Sequence, residues 1–162
     1  MKLLASVKSQ KRDLLILSIW IAIMALIMIK AHYVLHSTNP RFVHEREAFI
    51  DYQPPSLETA DVFILAAVSI IVVILLTDVK SLIFGYFASI SIAFTVSIIY
   101  ATIYIWYILD YQSTLSLIPF GWEAALYMAF VSMIWVMFPY VLGITVIGAV
   151  LGVFLRQWLV SS

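Results

Sequence analysis

Three histidines and a methionine form the one arrangement in this chain with the character of a metal site. His32 and His36 are four residues apart and so share a helix face, Met28 lies one turn earlier, and His44-Glu45 follows shortly after. Imidazole suits copper, zinc or nickel, and a thioether adds a preference for Cu(I). The ligands of a copper or zinc centre would be His32, His36 and His44. The ordinary alternative is a pair of hydrogen-bonded imidazoles at a membrane boundary, with Met28 filling core space.

Other chemistry finds little support. There is no Gly-x-Ser-x-Gly, no His-Glu-x-x-His, no Gly-rich phosphate loop and no aspartate pair within an apolar stretch. Ser91 and Thr95 have no base on their own helix. The chain contains no cysteine, which removes disulfides, thiolate zinc sites, Fe–S clusters and redox dithiols together. No enzyme is expected, and no cofactor is required.

The elements that carry these residues are apolar. Of 162 residues, 64% are hydrophobic and 11% charged, whereas soluble domains have about 45–50% and about 25%. Ser81 to Leu109 is free of charge for 29 residues, between Lys80 and Asp110. A membrane span needs about 20 apolar residues of helix, the one open-ended structure that satisfies its own backbone in lipid. The expected fold is therefore all-α, an integral membrane four-helix bundle forming a single transmembrane domain over residues 1–162.

Its spans are expected near residues 14–36, 57–77, 81–110 and 122–155, with an extracytoplasmic loop over 37–56. Ser56 or Thr59 is expected to cap the second span, with Glu58 and Asp61 favouring its dipole. Residues 42–52 alternate apolar and charged side chains and suggest a short helix along the membrane surface. Trp122 to Leu155 is 34 residues, about 51 Å if wholly helical. Pro139 at its centre predicts a kink, and a hairpin over Phe138 to Gly143 is the alternative.

Two faces of the third span differ. Tyr100, Tyr104, Tyr107 and Tyr111, spaced four, three and four, form an aromatic stripe suited to the headgroup level. On the other side Ser81, Ala88, Ser91, Thr95 and Thr102 make a small, hydroxylated face that admits a close neighbour. Gly148 and Gly152 offer the same on the last span. Both sets are candidates for packing within the bundle or for contact with a partner chain.

Basic residues are biased. Lys2, Lys8, Lys11, Arg12, Lys80 and Arg156 fall on one side, and Lys30, Arg41 and Arg46 on the other, which predicts cytoplasmic N- and C-termini in a multi-pass cell-membrane protein. Nine basic and nine acidic residues cancel, so nucleic acid is not an expected partner. Charges sit at span ends or in loops, which disfavours a proton or ion pump. The function expected is a non-catalytic accessory or assembly subunit of a larger membrane complex, with the bilayer and other membrane subunits as partners. A small metal-binding or redox-associated protein using the histidines is the first alternative, and a channel for a small neutral solute the second.

Overall fold

The computed structural model describes residues 2–38, 57–76, 79–108 and 121–161, and among them every residue but Leu57, Glu58 and Leu76 is helical. The helices are α1 (Lys2–Thr38), α2 (Thr59–Leu75), α3 (Val79–Ile103), α4 (Gly121–Val136) and α5 (Leu142–Ser161). A π turn, Tyr104–Ile108, ends α3, and a second, Met137–Val141, joins α4 to α5. The surface helix expected over 42–52, His44 and Tyr111 all lie outside the described residues.

Three stretches are long and apolar enough to cross a membrane: Gln10–Val34, Ser81–Tyr107 and Trp122–Ser161. α2 is equally apolar but has only 17 residues, about 26 Å against a hydrocarbon layer of about 30 Å. It begins at Thr59 after Glu58, whose extended backbone makes it the N-cap residue in place of Ser56 or Thr59. The Glu58 carbonyl accepts from the N–H groups of Asp61 and Val62, at 3.0 and 3.2 Å. Its carboxylate makes no capping bond and goes instead to Lys30. Leu76 returns to extended backbone and closes the helix through its N–H to the Val72 carbonyl at 3.0 Å.

Helix directions follow from named contacts. Lys30 near the C-terminal end of α1 meets Asp61 at the start of α2, while Arg12 near the other end meets the Leu75 carbonyl, so α1 and α2 are antiparallel. Gly85 sits on Leu17 and the Ser97 hydroxyl approaches the Ala25 carbonyl at 3.5 Å, so α1 and α3 are parallel. Gly148 lies on Ala66 and Ser69, and Gly152 on Ile70 and Val73, so α2 and α5 are also parallel.

These last contacts need glycine. A Cβ at Gly148 would lie 2.8 Å from the Ser69 Cβ and 2.9 Å from the Ala66 carbonyl oxygen. At Gly152 it would lie 2.9 Å from the Val73 Cβ. Where both helices are apolar all round, lipid solvates their sides as well as a neighbour does, and close backbone approach is what favours the pair.

The break in the last long segment lies at the expected proline. Pro139 offers no N–H and its ring collides with the preceding turn. Phe138 leaves helical geometry (φ −111°, ψ 122°), and the Phe138–Pro139 peptide is cis. The chain does not reverse there. Phe130 of α4 meets Phe94 of α3 at 5.9 Å between ring centroids, and beyond the kink the Thr145 hydroxyl of α5 lies 3.1 Å from that of Tyr86. Antiparallel register on α3 thus continues through the π turn, and the hairpin alternative is not what forms.

The centre of the bundle is filled by side chains. Trp20, Met24, Leu65, Ala125, Met133 and Val136 have no solvent exposure.

Candidate functional site

Two regions gather the residues that stand out: the end of the bundle where α1 finishes and α2 begins, and the outward side of α3. At the first, the Lys30 ammonium donates to Glu58 Oε2 at 2.7 Å and to both Asp61 carboxylate oxygens at 3.1 Å. The Asp61 side chain is 7% exposed, whereas those of Lys30 and Glu58 stay 43% and 57% exposed. A carboxylate taken that far out of solvent needs its charge balanced, and Lys30 supplies the balance from the neighbouring helix. The amphipathic stem of lysine permits this, its methylenes lying on apolar surface while the ammonium reaches the boundary. Consecutive antiparallel helices bring the end of one to the start of the next, so the sequence places Lys30 near Glu58 and Asp61, but charges at span ends do not by themselves show which of them pair.

Two residues further along α1, His32 is fully buried. Its ring meets Tyr104 edge-on, with centroids 5.7 Å apart and planes at 87°. Tyr33 also meets Tyr104 edge-on at 6.0 Å, and Tyr100 stacks on it at 6.1 Å. Burying His32 and Met28 in the packed interior puts them on the core side of α1. Among the described residues, no three His, Asp or Glu side chains gather in a group able to hold a metal ion.

The tyrosine stripe divides. Tyr104 turns inward onto His32, Tyr100 is partly open, and Tyr107 is 68% exposed. A π turn begins at Tyr104, and Tyr104 and Ile105 are both buried.

The small residues of α3 are split between two faces. Gly85, Ser89, Ala93, Ser97 and Ala101, spaced four apart, are buried. This stripe, not the one bearing Ser91 and Thr95, packs inside the bundle. Ala88, Ser91 and Thr95 are exposed, and Thr102 is half-buried. Thr95 returns its proton to the Ser91 carbonyl at 2.8 Å and Thr102 to that of Ile98 at 2.8 Å, so neither hydroxyl reaches out for a partner. Gly148 and Gly152, by contrast, are both consumed by α2.

Within the interior, Ser69, Ser97 and Thr145 likewise donate to carbonyls one turn back, at 2.7, 2.8 and 2.7 Å. Such back-bonding satisfies a hydroxyl in an apolar setting without a second helix. Among the described residues, Trp20 Nε1, Ser89 Oγ and Ser132 Oγ are buried without a hydrogen-bond partner. The arrangement can clamp and pack helices, but these groups show no paired acid, base or nucleophile.

Compared with protein-family models, curated proteins and solved structures, the chain matches none.

Proposed function

We propose that this chain is a four-span integral membrane protein, with both termini cytoplasmic, that serves as a non-catalytic accessory or assembly subunit of a larger membrane complex. The observation that carries the reading is the outward face of α3. Its own bundle packs on the Gly85 to Ala101 stripe and leaves Ala88, Ser91 and Thr95 uncovered, between the large exposed side chains of Phe84, Phe87 and Ile92. A shallow lane of small residues in lipid is where another helix approaches closely and gains dispersion contact.

A packed interior favours this reading over a passage for solute, because Trp20, Met24 and Met133 are large side chains buried there without solvent exposure. In this reading α2 spans despite its 17 residues, since the Lys30 clamp at one end and Arg12 at the other hold it against α1 while the bilayer thins locally to match.

The test is extraction from the native membrane in mild detergent, with the particle's mass measured and its components identified. Co-migration with unlike chains in fixed stoichiometry is expected. Replacing Ser91 and Thr95 by leucine should release the chain from that particle without unfolding it, because neither side chain packs in its own core. Migration alone or as a homo-oligomer would defeat the proposal.

A further inference from the structure

One side of α1 forms a continuous lane from a basic head to an aromatic foot. Lys11, Leu15, Ile19, Ala22, Leu26 and Tyr33 fall within about 80° of one another around the helix, and all six are exposed. Leu15, Ile19, Leu26 and Tyr33 are open to 60%, 51%, 64% and 51%. From Lys11 to Tyr33 is about 33 Å along the axis, close to one hydrocarbon thickness.

Beside Lys11 at the head stands Arg12, its side chain 58% exposed. One guanidinium nitrogen, Nη2, donates to the Leu75 carbonyl at 3.2 Å and lies 3.7 Å from the Asp13 carboxylate. That contact anchors the group at the bundle's end and leaves other donors of the planar fork for an oxyanion.

Charge sharpens the picture. By chain order, Lys2, Lys8, Lys11, Arg12, Lys80 and Arg156 share this end with only Asp13 and Asp78, so six bases face two acids. The far end carries three bases against seven acids. The chain is neutral as a whole but strongly polarised along the helices.

We propose that the head of this lane selects anionic phospholipid in the leaflet at the N-terminal end of α1, with the phosphate at Lys11 and Arg12 and an acyl chain along Leu15, Ile19 and Ala22. The inference rests on the membrane-spanning part of the reading above, not on the subunit role. A zwitterionic phosphatidylcholine offers the same phosphate, but its choline ammonium meets a basic end unfavourably. Phosphatidylglycerol lacks that cation. Clusters of four or more bases beside a span attract anionic headgroups in this way. The acidic far end confines the preference to one leaflet.

The test uses the full chain reconstituted in phosphatidylcholine vesicles, with trace spin-labelled phosphatidylglycerol or phosphatidylcholine as probe. The fraction of each probe immobilised at the protein surface gives the relative affinity. The expected preference for phosphatidylglycerol is on the order of fivefold, equivalent to the attraction of one basic residue for an anionic surface. It should fall towards unity in high salt and in Lys11→Gln, which disturbs no contact within the bundle, and further in Lys11→Gln/Arg12→Gln. Immobilised phosphatidylcholine with no preference for phosphatidylglycerol, or a preference that both variants retain, overturns the proposal while leaving the membrane reading intact. Absence of immobilised lipid of either kind overturns both.

Discussion

Lys30 is the residue whose removal tells most about how this chain manages charge. Its partner Asp61 is buried while the lysine keeps contact with solvent, so the two do not contribute alike. Lys30→Gln strands a buried carboxylate, and the expected result is a clearly lower thermal midpoint in detergent. Lys30→Gln/Asp61→Asn removes both charges and should recover much of the loss. If Lys30→Gln melts with the parent chain, the clamp contributes nothing. His32 illustrates the opposite case: its spacing from His36 was plain in the sequence, but its burial against Tyr104 was not. Residue type and spacing say what a group is capable of, and only its neighbours decide which capacity is used.

Elements in this chain are apolar on all sides, and that limits what periodicity can reveal. On a soluble helix the buried face announces itself by hydrophobicity, whereas in lipid both faces of α3 are apolar and both carry small residues. The stripe from Gly85 to Ala101 was as visible as the one through Ser91 and Thr95, with nothing local to rank them. For α5 the glycine pair suggested close contact within the bundle or with a partner chain, and in the structure it lies against α2. Gly148→Leu must push the Ala66 carbonyl and Ser69 aside, and should cost about 1–3 kcal/mol as an overpacked site. Gly143 is the control, since a Cβ there meets nothing within 4 Å. Gly143→Ala should be neutral, or stabilising by about 0.5–1 kcal/mol through helix propensity. Thermal unfolding of the two variants side by side checks the pair, and equal effects would mean that α2 and α5 are not held by this contact.

At the scale of the whole molecule, the proposed orientation rests on the bias of basic residues towards one end of the helices. The absence of cysteine makes this directly measurable, because any single introduced thiol reports without background. Ser161→Cys, at the end of α5, should react with a membrane-impermeant maleimide only after the cytoplasmic side is exposed. Ser56→Cys, in the segment joining α1 to α2, should react in intact cells. The reverse pattern would invert the topology, and reaction of both in intact cells would deny that the chain spans an odd number of times between them. The proposed orientation and the proposed lipid preference rest on the same bias of bases.

The sequence by itself determined that the chain is helical, that long apolar segments dominate it, and that the last of these breaks at Pro139. Each is a local property: apolar length and the missing proline N–H need no partner to act. Tertiary structure alone decided that α1 packs on α3 and α2 on α5, that Asp61 is the carboxylate buried under Lys30, and which small-residue stripe of α3 is consumed. Those outcomes depend on competition between nearly equivalent apolar faces, settled by backbone proximity at Gly148 and Gly152, by the Leu17 side chain seated on Gly85, and by one buried carboxylate that requires a cation.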